Sequence, residues 1–147
     1  MKENLFEAFQ PLSDRRLQVL DDEGAVLHPE WMPDLPDDQA VEGYRRMLYT
    51  RTADQMAVSY QRQGRMYTYP PNFGQEAIAV AVGMVMRPDD WLVPAYRELG
   101  AYLAKGVRMY DIFLYFGGHE DGSFAPGAKN MLPSAVPIAS QLLHAAG

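Results

Sequence analysis

The stretch from residue 91 to residue 100 constrains the fold more than any other part of the sequence. Residues 91–93 are a short apolar run, which predicts a buried strand. Pro94 ends that strand because proline lacks the N–H that continues a ladder, and a helix is expected to follow. Tyr96 and Arg97 then fall at a strand-to-helix junction, where backbone N–H groups, the helix dipole and a guanidinium favour a phosphate. A solvated or salt-bridged surface arginine is the alternative interpretation.

Composition excludes several classes of protein. With 147 residues, 48% of them hydrophobic, the chain is expected to form a single domain with its own core. A net charge of −6 argues against binding to nucleic acid, and the absence of cysteine excludes disulfides and thiolate metal sites. The N-terminal residues show no apolar core of a signal peptide, and no apolar run is long enough to span a bilayer. We therefore predict a cytoplasmic protein that does not enter a membrane.

The first half of the sequence predicts an arm, a hairpin and a long helix. Residues 1–16 are expected to be a loosely held arm, and residues 17–27 a small hairpin that turns at Gly24. A helix should run from about Asp37 or Asp38 to Gln63, where Gly64 follows as a stop signal. Its apolar residues at helical spacing predict one buried face: Val41, Tyr44, Met47, Leu48, Met56 and Tyr60.

A second helix is predicted over residues 75–86, and it is almost uncharged. A helix that is apolar on all sides must be buried, which implies a partner subunit or a further domain for a chain of this size. Gln75 and Glu76 at its start are expected either to cap the helix or to face a cofactor. The preceding loop, residues 64–74, is rich in aromatic residues and proline, which suits packing over a core edge and a pocket wall equally well.

In the last third of the sequence, the helix that follows Pro94 is predicted to continue through residues 101–105, a short helix should span residues 109–116, and a polar loop comes next. His119 in that loop, beside two carboxylates, suggests a metal site, a solvated loop or an acid–base group. Ser140 and Gln141 follow a segment with two prolines. Their oxygen-rich turn predicts either a monovalent cation site or a helix cap.

Five motifs occur in a characteristic order. They are Met47-Leu48-Tyr49-Thr50-Arg51, Gln61-Arg62-Gln63-Gly64-Arg65, Gly74-Gln75-Glu76-Ala77, Ala95-Tyr96-Arg97 and Pro133-Ser134-Ala135-Val136-Pro137-Ile138-Ala139-Ser140-Gln141. Together they resemble the N-terminal part of the alpha subunit of thiamin-diphosphate-dependent 2-oxo acid dehydrogenases, of the bacterial pyruvate dehydrogenase type. The resemblance extends from about Leu17 to Gly147.

The resemblance implies an oxidative decarboxylase of a 2-oxo acid that passes the acyl group to a lipoyl-bearing acyltransferase. It also implies an α2β2 heterotetramer, with a beta subunit and with cofactor at the α–β interface. The implied fold is α/β with a mostly parallel sheet. This chain would hold a mostly helical portion of it, with residues 1–36 as arm and hairpin and residues 37–147 as an incomplete thiamin-diphosphate-binding domain that carries the first sheet strand.

The resemblance also assigns roles to individual residues. Tyr96 and Arg97 match the pair that holds the diphosphate. Val136 matches the residue whose carbonyl accepts a hydrogen bond from the aminopyrimidine, and Ile138 matches the apolar wedge beneath the bent cofactor. The resemblance further implies a metal site and a catalytic residue. Ser140 and Gln141 match a turn that binds potassium in some members. His119 lies near a loop that often carries an active-site histidine, although Asp121 is the alternative at that position.

One departure from the family pattern changes the expectation for this polypeptide. The Gly-Asp-Gly…Asn stretch that supplies magnesium ligands does not occur here and is expected beyond Gly147. Magnesium would neutralise much of the diphosphate charge. We therefore expect a fragment or a truncated product that has no decarboxylase activity alone and binds the cofactor weakly or not at all. A non-catalytic module that binds a partner is the alternative, and a helical domain without a ligand is a third.

Overall fold

The structure is a computed structural model that describes Leu12 and residues 16–147. The predicted arm lies almost wholly outside the described residues. The chain divides into two compact units, Met1–Asp37 and Asp38–Gly147. None of the described helices is both long enough and apolar enough to cross a membrane.

In the first unit, the predicted hairpin is a tight turn closed by one antiparallel bridge between Leu20 and Val26. The Asp21 carboxylate accepts hydrogen bonds from the backbone N–H groups of Glu23, at 3.0 Å, and Ala25, at 2.7 Å. Gly24 has a φ of +86°, so the predicted turn residue adopts the left-handed conformation that glycine accommodates.

Apart from two isolated bridges, the regular secondary structure in the described part of the chain is helical. The helices are α1 (Asp37–Arg62), α2 (Glu76–Val85), α3 (Leu99–Ala104), α4 (Met109–Phe116) and α5 (Ser140–Ala146), with short 3-10 helices at Pro29–Trp31 and Glu120–Ser123. The long helix and the helices predicted over residues 75–86 and 109–116 are confirmed to within one or two residues. The helix predicted to open after Pro94 and to continue through residues 101–105 is also present, but it begins only at Leu99.

Only part of the predicted face of α1 is buried. Val41, Tyr44, Leu48 and Met56 are all about half exposed, whereas the buried residues of α1 are small or polar: Thr50, Ala53, Asp54 and Ala57. These four follow the spacing of one helical face, and the alanines let neighbouring chain approach closely. Of the six predicted residues, only Met47 and Tyr60 are partly buried, and Tyr60 packs against the core. Side-chain hydropathy therefore misplaced the centre of the buried face.

Helix α2 packs against α3 along one face only. Gly83 and Gly100 lie at this contact, where an added Cβ on Gly100 would lie 2.9 Å from a Val80 methyl group. The opposite face of α2 is exposed: Ile78 keeps 72% and Val85 keeps 80% of its surface accessible. The described chain therefore buries only one face of this helix, and burial of the other face by a partner subunit or a further domain stays a prediction.

No strand forms in the described residues, so the predicted strand over 91–93 is not confirmed. Leu92 alone pairs, in a parallel bridge with Met131. The Leu92 N–H donates to the Asn130 carbonyl at 2.9 Å, and the Leu92 carbonyl accepts from the Leu132 N–H at 3.0 Å. Proline follows on both segments, at 94 and 133, and each removes an N–H that a longer ladder would need.

Candidate functional site

Beyond the parallel bridge between Leu92 and Met131, further hydrogen bonds hold the segments after these two residues side by side. The Pro94 carbonyl accepts from the Ala135 N–H at 3.3 Å, and the Ala95 carbonyl accepts from the Ser134 hydroxyl. The side chain of Gln141 donates in turn to the Ala135 carbonyl at 2.5 Å. Residues 94–97 therefore lie beside residues 134–141, although the two segments are 39 residues apart in sequence.

A cleft of about 220 Å³ opens where these segments meet. The residues that line it come from the start of α2, the 95–98 segment and the 138–141 segment: Gln75, Ala95, Tyr96, Arg97, Glu98, Ile138 and Gln141. Four residues with a predicted site role, Tyr96, Arg97, Ile138 and Gln141, thus share one cleft. Val136, Ser140 and His119 are not among its lining residues.

The Arg97 side chain is exposed at this cleft, and Tyr96 is half-buried beside it. The guanidinium carbon of Arg97 lies 5.3 Å from the centre of the Tyr96 ring, within range of a cation–π contact. The Arg97 N–H donates to the Glu98 carboxylate at 3.0 Å. The cleft therefore presents a guanidinium and an aromatic ring, with one carboxylate close to them.

The predicted phosphate site at a helix N-terminus needs a correction. Helix α3 has only six residues, and the N–H of its first residue, Leu99, already donates to the Asn72 side-chain oxygen at 3.1 Å. That N–H is not available to a ligand. Any anion in the cleft would therefore be held chiefly by Arg97, because a helix this short adds little dipole.

Ile138 projects its side chain with 83% of its surface exposed, and Val136 on the same segment is exposed as well. Ala139 follows with a φ of +67°. The left-handed conformation costs a non-glycine residue about 1–2 kcal/mol, so the surrounding contacts must hold it. These contacts include the bonds from Ser140 and Gln141 to the Pro137 carbonyl.

The turn before α5 collects oxygen atoms. The Ser140 hydroxyl donates to the Pro137 carbonyl at 2.8 Å, and the Gln141 amide lies against the carbonyls of Ala135 and Pro137. Ala139 occupies the N-cap position of α5, and no side chain caps the helix. The interpretation of Ser140 and Gln141 as a helix cap is therefore wrong.

His119, Glu120 and Asp121 lie in an exposed segment at the second 3-10 helix. Within the described part of the chain, no group of three or more His, Asp or Glu side chains could hold a metal ion. The arrangement fits a solvated loop, which was one of the three interpretations of this sequence. It offers no support for a metal site at His119.

A buried polar network lies behind the cleft. The Asp54 carboxylate, 1% exposed, accepts from the Tyr69 hydroxyl at 2.8 Å and from the Asn72 N–H at 2.7 Å. Burial, followed by the hydrogen bond to Asp54, raises the pKa of the Tyr69 hydroxyl well above its usual range. The network fixes the aromatic loop to α1, so packing at a core edge describes this part of the loop.

The two residues at the start of α2 have different surroundings. The buried Glu76 carboxylate bonds to the Arg51 guanidinium at 2.5 Å and accepts from the Gly74 N–H at 3.1 Å. The hydrogen bond from Arg51 is the main reason that the pKa of Glu76 falls to about 2. Gln75, by contrast, lines the cleft. Glu76 therefore stabilises the loop, and only Gln75 faces the candidate site.

Sequence reasoning missed two residues that shape this site. The sequence places Asn72 in the aromatic, proline-rich loop and Asp54 in the long helix, and it indicates no separate role for either residue. A signal was present for Asp54, because it lies on the same helical face as the small residues Ala53 and Ala57. A carboxylate within such a face is typical of a buried polar contact. Nothing in the local sequence of Asn72 indicates its long-range bond to Leu99.

The sequence matches a known family of proteins over most of its length. Residues 44–147, more than half of the chain, match the family described as Dehydrogenase E1 component. The chain belongs to this family.

Individual relatives bear the same name. The chain is 42% identical to the pyruvate dehydrogenase E1 component subunit alpha of Acholeplasma laidlawii over 127 residues, which are 86% of this chain and 37% of that protein. The protein of that name from Bacillus cereus is 38% identical over 131 residues, or 89% of this chain and 35% of the relative. The one from Staphylococcus aureus (strain Mu50 / ATCC 700699) is 35% identical over 147 aligned residues, covering 97% and 40%. The chain thus spans well under half the length of these relatives.

Proposed function

We propose that this chain contributes to the alpha subunit of a thiamin-diphosphate-dependent 2-oxo acid dehydrogenase whose substrate is pyruvate. The activity is oxidative decarboxylation with transfer of the acyl group to a lipoyl group. The observation that supports it best is the cleft in which Tyr96, Arg97, Ile138 and Gln141 meet. Three relatives with the name pyruvate dehydrogenase E1 component subunit alpha support the choice of substrate.

The residues of the cleft fit thiamin diphosphate in their chemistry. An exposed guanidinium suits a diphosphate, since its planar fork donates two parallel hydrogen bonds to phosphate oxygens. The exposed Ile138 side chain offers the apolar contact that a ring system needs. Arg97 and Tyr96 would thus hold the diphosphate, Ile138 would support the rings, and the Val136 carbonyl would accept from the aminopyrimidine.

The bound cofactor would supply the electron sink that decarboxylation of a 2-oxo acid requires. The residues of this chain would bind and orient it. The left-handed Ala139 and its neighbouring hydrogen bonds hold Ile138 on a constrained segment, so the apolar support is preorganised. His119 as an acid–base group near the mouth of the site stays a prediction.

The charges in the cleft suggest why this chain alone would bind the cofactor weakly. Arg97 contributes one positive charge and Glu98 one negative charge, so these two lining residues sum to zero. A diphosphate carries more than one negative charge, and the remainder needs magnesium. We propose that the magnesium ligands lie outside these 147 residues. The isolated chain is then expected to lack decarboxylase activity and to bind the cofactor weakly or not at all. Micromolar, magnesium-dependent binding in calorimetry would contradict the expectation of weak binding.

The turn before α5 holds two carbonyl oxygens, of Ala135 and Pro137, and the Ser140 hydroxyl. Both carbonyls accept from the Gln141 side-chain nitrogen, so Gln141 would have to turn its amide oxygen towards an ion in order to ligate it. Neutral oxygen donors of this kind suit a monovalent cation. We propose that Ser140 and Gln141 contribute to such a site and that the ion would stabilise the segment that carries Ile138.

The proposed partners are a beta subunit and a lipoyl-bearing acyltransferase, in an α2β2 assembly in the cytoplasm. The exposed apolar face of α2, with Ile78, Val82 and Val85, supports a partner subunit, because monomeric proteins seldom expose such a face. The same face favours the second candidate function, a non-catalytic module that binds a partner. The two functions differ in whether Arg97 contributes to cofactor affinity.

The test is Arg97→Ala in the complete subunit assembled with its partner subunit, with Arg45→Ala as a control of equal charge change. Arg45 is exposed on α1 and does not line the cleft. Loss of charge-assisted hydrogen bonds of about 1.5–3 kcal/mol weakens binding by about 10- to 100-fold. Calorimetric titration with thiamin diphosphate and magnesium should show this for Arg97→Ala only, with an unchanged Tm. Unchanged affinity would favour the non-catalytic module.

A further inference from the structure

Asn72 lies at the joint between the two walls of the cleft. Its backbone carbonyl accepts from the Gln75 N–H at 3.0 Å, and its side-chain oxygen accepts from the Leu99 N–H at 3.1 Å. Gln75 lines one wall, and Arg97, two residues before Leu99, lines the other. One buried residue therefore holds the starts of α2 and α3 at the same time.

The amide of Asn72 has only one orientation that satisfies its neighbours. Its nitrogen donates to the Asp54 carboxylate at 3.3 Å and to the Pro70 carbonyl at 3.2 Å, and both of these groups only accept. The oxygen is therefore left for the Leu99 N–H. Since Asp54 and Asn72 are 1% and 3% exposed, water does not compete for these bonds.

The bond to Leu99 replaces a missing helix cap. Leu99 is the first residue of α3, so its N–H has no partner within the helix. Glu98, at the N-cap position, makes no side-chain cap, and its carboxylate accepts from the Arg97 N–H instead. Asn72 supplies the cap from 27 residues earlier in the chain.

We infer that Asn72, oriented by Asp54, is a positioning residue that fixes the Tyr96–Arg97 wall relative to the Gln75 wall and so sets the width of the cleft for the diphosphate. The inference rests on the proposed function for the identity of the ligand. The link between Asn72 and α3 does not depend on it. Asn72 contacts the cleft only through its neighbours, so its effect should appear in cofactor affinity more than in turnover.

The first experiment needs no cofactor. In the 147-residue chain, Asn72→Ala keeps both backbone bonds of Asn72 and removes only its side-chain bonds. Hydrogen exchange at the Leu99 amide should become at least about fivefold faster, the factor that corresponds to loss of a typical cap. The Lys105 amide, bonded to the Ala101 carbonyl within α3, should change much less. Asn72→Ser replaces the alanine variant if the latter does not fold.

The second experiment uses the subunit assembled with its partner. Asn72→Ala should raise the apparent KM for thiamin diphosphate about tenfold, while kcat changes less than twofold. The control is Gln61→Ala. This variant removes the 3.2 Å hydrogen bond that the Gln61 side chain accepts from the Tyr69 N–H in the same loop, and that bond does not involve α3. Gln61→Ala should lower the Tm without changing that KM, because a purely structural loss does not move the walls.

The outcomes distinguish a failure of the positioning role of Asn72 from a failure of the proposed function. Unchanged exchange at Leu99, or an equal rise in KM for both variants, overturns the positioning role of Asn72. If the wild-type assembly shows no dependence on thiamin diphosphate, the proposed function fails and the cofactor part of this inference fails with it. Faster exchange at Leu99 together with a selective rise in KM supports both.

Discussion

The contact between α2 and α3 allows a prediction whose sign comes from the structure. Gly83 lies in the interior of α2, where replacement of glycine by alanine normally gains about 1 kcal/mol. An added Cβ, however, would lie 2.4 Å from the Ala104 Cβ and 3.5 Å from the Ala101 Cα. The distance to Ala101 is an ordinary contact, but the Ala104 Cβ is rigid and far too close, so the helices must separate. Overpacking of this kind costs about 1–3 kcal/mol. We expect Gly83→Ala to lower the free energy of unfolding by about 1 kcal/mol or more.

Gly43 in α1 provides the matched control. An added Cβ there would meet only the end of the Met84 side chain, 3.3 Å from its sulfur. Methionine is flexible and moves away easily, so the gain in helix propensity should prevail. Gly43→Ala is expected to raise the free energy of unfolding by about 0.5 kcal/mol.

Urea denaturation of both variants and of wild type measures these changes in the free energy of unfolding, provided that the m-values of the three proteins are equal. The double variant Gly83→Ala with Ala104→Gly removes one of the two clashing methyl groups, and it should recover part of the loss. A coupling energy above about 0.5 kcal/mol would identify the Ala104 contact as the cause. If Gly83→Ala and Gly43→Ala change stability equally, the close approach of α2 and α3 is not the deciding factor and the reasoning is refuted.

Two further predictions concern pH. The pKa of Glu76 in the folded chain lies near 2, against an ordinary value of 4.5, so the stabilisation by Arg51 is present above about pH 4.5 and is lost as the pH falls towards 2. In Glu76→Gln, the free energy of unfolding should therefore fall by about 1–2 kcal/mol less than in wild type over this pH range, as acid unfolding would measure. The expected difference is small because the Arg51 side chain is about one-third exposed, which screens the ion pair. The raised pKa of Tyr69 favours its neutral form, so its contribution is present below about pH 10 and is lost above that pH. Tyr69→Phe should therefore leave the phenolate absorbance step near pH 10 unchanged, and a smaller step would contradict the burial argument.

The sequence predicts the helices better than their packing. Proline, aspartate and glycine signals locate α1 well, because the ends of a helix depend on local chemistry. Its buried face depends on neighbours that come from elsewhere in the chain. Thr50 and Asp54 are buried since the aromatic loop and α3 approach that side, while Tyr44 and Leu48 remain exposed. Hydropathy alone would select the opposite residues.

The candidate site shows the same division. Tyr96, Arg97 and Ile138 could be named from family motifs, but no spacing rule shows that the two segments share a cleft. Their proximity follows from the bridge between Leu92 and Met131, a non-local contact. The contribution of Asn72 was invisible for a similar reason, since its partner Leu99 lies 27 residues away.

That bridge has a consequence for the order of folding. Parallel neighbours cannot be joined by a tight turn and need a long crossover, which here contains α3, α4 and the polar loop. Closing this loop lowers the entropy of the chain, and that loss comes before the contacts between residues 94–97 and 134–141 can stabilise the structure. Contacts at such sequence separation form slowly relative to helices. The helices therefore have a kinetic advantage, and the cleft becomes complete only when the crossover has closed behind it.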